Sequence, residues 1–301
     1  MKVLGKEVTA EKLLNFASMK WEQKRKQSRV LRKPVMCVTH PLELHQRRSA
    51  GQRIGLPAIL APRRQTVEET GYEPADDLID KSLLAELQEV ATARLAHENS
   101  TGDARRIKSK QYWSQLLRDE DRAASSIFVR FALQKPILQI VTSLFGQVPH
   151  LTILELALTR ANEDPKGPVA SQRWHYDLGD NRTIKLFTYL TDVRDDDDGP
   201  FIFIPHDPHK PRLPWFPVHK TDALVAPTGL LDRKMTVYGK AGTSFLIDTY
   251  NCLHCGSRLA SGHKRLAAIV TYNTFCSWIP YNNRVAVDRP LDPLERMVLR
   301  V

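Results

Sequence analysis

The apolar positions change period along the chain. Leu83, Leu84, Leu87, Val90, Ala91 and Leu95 recur at three- and four-residue intervals, which predicts a helix over 82–96 with Asp80 as its N-terminal cap. A second helix is expected over 136–145, closed by Gly146. Residues 11–33 also read as helical and end in a basic cluster of Lys20, Lys24, Arg25, Lys26, Arg29, Arg32 and Lys33. Residues 34–70 are expected to be irregular, because Pro34, Pro41, Pro57 and Pro62 interrupt them. From residue 151 the period falls toward two: Ile184, Leu186 and Leu190 alternate with Lys185, Phe187 and Tyr189, and strand-like runs follow at 243–248 and 265–272. Helices first and strands afterwards indicate an α+β chain, a double-stranded β-helix or jelly roll buttressed by helices. Its compact core is expected to start near Gly71, which leaves residues 1–70 as a basic extension and 71–301 as the main domain.

In the strand around Leu186 one set of side chains should pack on the helices and the other line a pocket. Lys185 and Tyr189 are therefore candidate contacts for a bound molecule, although a lysine at a solvated sheet edge fits the alternation equally well. Thr243 and Ser257 are weaker candidates of the same kind. Residues 206–233 show no clear period and carry His206, His209, Lys210, Arg212, Trp215, Phe216, His219 and Lys220. Such long loops are usually functional lids or disordered. These cations and aromatics suit a lid over an anionic, partly apolar substrate; a proline-pinned surface connection is the alternative. Asp195–Asp198 reads as a solvated turn.

Composition narrows the classes. The chain has 301 residues, enough for one large domain with an extension, and no run of about 18 apolar residues that would span a membrane. With no apolar signal-peptide core near its start, a cytoplasmic protein is expected. Lys and Arg number 44 against 34 Asp and Glu, a net charge of +10 that favours an anionic small molecule or partner. The same excess admits a nucleic-acid-binding module, but charge runs are usually solvated faces. The four cysteines, Cys37, Cys252, Cys255 and Cys276, are too few for a disulfide framework. Cys252 and Cys255 bracket His254 as half of a zinc pattern, and no second such pair exists to complete four ligands, so they read as small residues beside the metal.

The chemistry concentrates in Trp174-His175-Tyr176-Asp177 and in His254. On an extended segment positions i and i+2 face one way, so His175 and Asp177 can meet a single ion while Tyr176 points elsewhere. His254 follows the strand-like run 243–248 and can supply a third ligand from a neighbouring strand. Two histidines and one carboxylate leave coordination positions open, the arrangement of non-heme Fe(II) oxygenases. Arg265, eleven residues after His254, opens a strand that can return toward the ion, and its planar fork suits the distal carboxylate of 2-oxoglutarate. Arg258 and Lys185 are the other cations available for that place.

These motifs resemble the phytanoyl-CoA dioxygenase family. The resemblance lies in Trp174-His175-Tyr176-Asp177, in the strand that ends Leu190-Thr191-Asp192-Val193, in Gly199-Pro200-Phe201, and in Pro205-His206-Asp207-Pro208-His209-Lys210, and covers roughly residues 71–280. It implies a cupin-like jelly roll, Fe(II) on His175, Asp177 and His254, 2-oxoglutarate on Arg265, dioxygen as oxidant, and hydroxylation or another oxidation of a substrate C–H bond. Phe187 stands where many members carry tryptophan beside the cosubstrate, Tyr176 where glutamine is common, and the 205–210 element has an added residue and no glycine. Aspartate at 177 argues against the halogenating relatives, which open that position for a halide. A non-catalytic jelly roll that binds an anionic partner is the remaining alternative.

Overall fold

The computed structural model describes residues 38–102, 111–164, 167–209, 212–214, 216–256, 258–277 and 284–301, with the backbone of 2–3, 6–7, 105–107 and 110. The helix and basic cluster expected over 11–33, together with Pro34, Cys37, Lys210, Trp215 and Ser257, lie outside the described residues.

Helices α1 (Pro41–Ile54) and α2 (Ala61–Thr70) occupy the stretch expected to be irregular. Each carries a proline in its first turn, where a missing N–H leaves no bond unmade and the fixed φ suits the helix. Pro41 and Pro62, which read as interruptions, are helix starts here. Leu60 and Val67 join the main core, and Ala50 and Ile54 pack against it.

After α2 the chain turns at Gly71 into strand β1 (Tyr72–Pro74) and then enters helix α3 (Lys81–Thr101). Asp80 caps α3 as expected, accepting from the Ser82 and Leu83 amides. The helix runs five residues beyond the expected end at 96, and within that stretch Glu98, buried, pairs with Arg160 at 2.6 Å. Strands β2 (Arg105–Ile107) and β3 (Lys110–Gln115) precede helices α4 (Ile127–Ala132) and α5 (Lys135–Phe145), the latter closed by Gly146 at φ 64°. The remaining elements are β4 (His150–Arg160), β5 (Thr183–Tyr189), β6 (Phe201–Ile204), α6 (Asp222–Val225), β7 (Met235–Val237), β8 (Ser244–Asp248), β9 (Leu253–Cys255), β10 (Lys264–Asn273) and α7 (Pro293–Leu299). Among the described residues no helix is long and apolar enough to cross a membrane.

Seven strands form one antiparallel sheet in the order β1-β8-β5-β10-β4-β3-β2, and three form a second in the order β9-β6-β7. The two-residue alternation decides what each face touches. Leu154, Leu156, Leu158, Ile184, Leu186, Leu246 and Val270 point outward into a core shared with α3, α4 and α5. Ala157, Phe187, Tyr189, Phe245 and Ile269 point inward and meet Phe201, Phe203 and Val237 of the smaller sheet. The result is a jelly roll with helices on the outer face of its larger sheet. A third cluster, with Trp174, Tyr176, Ile204, Val225, Leu253 and Cys255, covers the outer face of the smaller sheet.

Residues 206–233 are less irregular than their composition implied, since they contain α6 and two short helical turns over 226–228 and 230–233. Asp198 departs from the solvated turn expected over 195–198. It is buried, takes hydrogen bonds from the Arg194 backbone and side chain, and lies 3.0 Å from His263 Nδ1.

Candidate metal centre

His175 and His254 are joined first by backbone. The His175 amide donates to the His254 carbonyl at 2.9 Å and the His254 amide donates back at 3.0 Å, an isolated antiparallel bridge along the free edge of β9. Directly paired residues project to the same side. The imidazole centroids accordingly lie 4.2 Å apart, in the space between the sheets. Asp177, two residues on, is held by its amide bond to the Thr249 carbonyl at 2.9 Å. Tyr176, between them, points into the outer cluster as the alternation predicts.

The donor atoms converge. The Nε2 atoms of His175 and His254 lie 3.9 and 4.0 Å from the Asp177 carboxylate oxygens, and one donor atom from each residue falls within 4.8 Å of the other two. Both histidines turn Nδ1 toward a backbone carbonyl, Arg173 at 2.8 Å and Cys252 at 3.1 Å. A ring that donates through Nδ1–H keeps an Nε2 lone pair for an ion, a common outer-shell arrangement around metal-ligating histidine. Burial, reinforced by the neighbouring His254, pushes His175 down to about 3, and burial likewise lowers His254, so both rings are neutral ligands at pH 7. Burial opposes ionisation of Asp177, but Lys185, then His254 and His175, hold its carboxyl well below the usual range. The donor set therefore fits a divalent metal: two neutral imidazoles and one ionised carboxylate on one side of an ion, other positions open.

Arg265, at the start of β10, is buried. Its guanidinium donates to the Gly199 carbonyl and lies 5.7 and 5.8 Å from the Phe187 and Tyr189 rings. The Tyr189 hydroxyl is fixed by donating to Val237 O and accepting from the Phe201 amide, both at 2.9 Å. Between Arg265 and the triad stand two phenylalanines: Phe187 is 5.4 Å from Phe201, whose ring stacks on His254 at 5.5 Å. Of the other cations considered for the carboxylate position, Arg258 forks onto Asp222 at 2.9 and 3.0 Å and bonds the Gln172 carbonyl. Lys185 faces Asp177 at 2.8 Å. Thr243 sits in the turn before β8 with its side chain against Gly239. Cys252 enters the inner cluster and Cys255 the outer one, so the two thiols do not converge.

Three features escaped the sequence. Phe201 faces His254 because β6 and β9 align Phe203 with His254, a register no local pattern reveals. Arg212 lies between the rings of Tyr176 and Tyr250, 4.4 Å from each, and ties the 206–233 segment to the strand ends. Glu155 stands on the inward face of β4 between outward-facing Leu154 and Leu156, a position the alternation alone could have marked.

The fold has relatives among solved structures. The epimerase SnoN, in a complex with Fe3+, alpha ketoglutarate and nogalamycin RO, matches with a TM-score of 0.56 at 20% identity over 79% of this chain and 93% of its own. EctD from S. alaskensis in its apoform matches with a TM-score of 0.53 at 21% identity over 80% and 86%. EctD crystallised with 2-oxoglutarate and 5-hydroxyectoine matches with a TM-score of 0.51 at 19% identity over 79% and 82%. At these identities the likeness establishes the fold. Comparison with models of known protein families gives no match, and neither does comparison with curated protein sequences.

Proposed function

We propose that this chain is an Fe(II)- and 2-oxoglutarate-dependent dioxygenase that oxidises a C–H bond of a small organic substrate. The observation that carries the reading is the triad itself: His175, Asp177 and His254 converge, and both histidines are oriented by carbonyl groups that free Nε2. The shared fold with proteins crystallised with iron and 2-oxoglutarate supports it. Iron with 2-oxoglutarate and dioxygen supplies the oxidising power.

The chain's own residues bind, orient and exclude water. Arg265 offers a two-pronged donor to the distal carboxylate of the cosubstrate, in a buried setting where a charge-assisted pair is strong. Phe187 and Phe201 present apolar rings beside that arginine and His254. The finer placement we favour is the phytanoyl-CoA dioxygenase family, on the motifs around Asp177 and Gly199, with hydroxylation as the outcome. Residues 71–301 form the catalytic domain in this reading, with 206–233 as lid. A cytoplasmic setting is part of it, supported by Cys252, Cys255 and Cys276 as free thiols. The substrate in this reading is anionic, supported by the net charge of +10; the cleft lined by Tyr176, His206, Asp207, Arg212 and Arg233 lies on the outer face of the smaller sheet, away from the triad.

Two measurements test the proposal. The wild type should bind one equivalent of Fe(II), Mn(II) or Co(II) and release succinate from 2-oxoglutarate, and His175→Ala and His254→Ala should lose both while keeping their circular dichroism. Absence of a single metal site in the wild type refutes the reading. An anionic substrate further requires that its capture slow as salt rises.

A further inference from the structure

Lys185 holds its ammonium against a triad carboxylate, where it competes with a metal. Its ammonium lies 2.8 Å from Asp177 Oδ2, and the same carboxylate group lies 4.0 Å or less from the two histidine Nε2 atoms. The lysine's backbone is not free to shift. β5 is an inner strand, and Lys185 is in register with Ile247 of β8 on one side and Thr271 of β10 on the other. Only the four-carbon stem can move the charge.

A second carboxylate stands on the same face of the sheet. Glu155 lies two strands away on β4, opposite Ile269, which is itself opposite Phe187 of β5. Because Leu154, Leu156 and Leu158 point outward and Ala157 inward, Glu155 shares the inward face with Lys185. Resting on the triad reading, we infer that Lys185 is a positioning residue with two stations. Without metal it neutralises Asp177 and keeps the carboxylate turned toward the histidines; when a divalent ion arrives it releases Asp177 and turns to Glu155.

Coulomb's law decides the direction. At equal distance a divalent ion repels an ammonium twice as strongly as a carboxylate attracts it, so the two cations do not share Asp177. Nor would Asp177 be comfortable alone, since breaking an ion pair of limited solvent access leaves an uncompensated charge. Lys185 therefore stabilises the metal-free protein and weakens metal binding relative to a bare triad. A lysine that merely supported the fold would do neither in opposition.

Titration with Co(II) alone, without 2-oxoglutarate, reads this through the visible absorption of the ion. Lys185→Met should bind Co(II) about tenfold more tightly than the wild type while melting at a lower temperature without metal, and Lys185→Arg, which keeps the charge, should restore both values. Glu155→Gln should weaken Co(II) binding several-fold in the wild type, through loss of the second station, and should have a much smaller effect beside Lys185→Met. Equal or weaker Co(II) binding by folded Lys185→Met, or a Glu155→Gln effect that is the same in both backgrounds, overturns the inference. Co(II) binding by the wild type that survives His254→Ala overturns the triad reading, and this inference with it.

Discussion

At the scale of single residues the arginine is the sharpest discriminator. Arg265→Lys keeps the charge but replaces a planar fork with a point donor on a flexible stem. The Michaelis constant for 2-oxoglutarate should rise by roughly tenfold or more, read from succinate release, with Co(II) affinity unchanged. A change confined to metal affinity would give Arg265 a different task. Phe187 makes a second point. Its ring lies parallel to Phe245, 9° and 5.3 Å away, and 5.4 Å from Phe201, so the space a tryptophan would need is filled. Phe187→Trp should destabilise by about 1–3 kcal/mol through overpacking, visible as a lower melting temperature in the metal-free protein.

Among the elements, the turn from α2 to β1 tolerates little change. Gly71 adopts φ 77°, and a Cβ placed there would sit 2.2 Å from the Cys252 sulfur. Gly71→Ala therefore combines left-handed strain of about 1–2 kcal/mol with a clash. Adding Cys252→Ala should recover the clash and leave the strain, and equal melting points for the single and double mutants would contradict this. Legibility follows the same division between local and distant causes. The capped helix after Asp80, the inward and outward faces of β5, and the spacing of His175 and Asp177 were readable because each depends on neighbours a few residues away. Helix α1 was not. It buries Leu44 and Arg47, and Arg47 is held by carbonyls of Val148, Pro149 and Met297, 101 to 250 residues distant. A helix anchored by a buried arginine leaves little apolar period to find. The partner of Lys185 was hidden for a related reason, since only the path of the chain after Trp174 brings Asp177 over β5.

For the whole molecule, acid is the informative stress. His150, first residue of β4, is buried with its ring edge-on to Phe275 at 5.6 Å, and burial, with Arg47 and Arg300 nearby, pushes it down to about 2. The unfolded chain protonates this group near pH 6.5, so the fold binds fewer protons than the unfolded state between about 6.5 and 2. Stability is complete above that window and is lost as pH falls through it, by about 2 kcal/mol from pH 6.5 to 5 for this one residue. His150→Gln should flatten that part of the profile in urea unfolding; an unchanged slope would place the acid sensitivity elsewhere. The reciprocal hydrogen bonds between His175 and His254 have an engineering consequence. Seventy-eight residues separate the two histidines in sequence, and the backbone bridge closes that excursion at the ligands themselves. Asp177 and strands β5, β6, β7 and β8 lie within that excursion and belong to the seat or to the sheets around it, so the part that can serve as a cassette is the 206–233 segment. It can be lengthened, shortened or exchanged for another with the three candidate ligands left in place, so a library built on that cassette would vary the surface beside the triad without disturbing the triad itself.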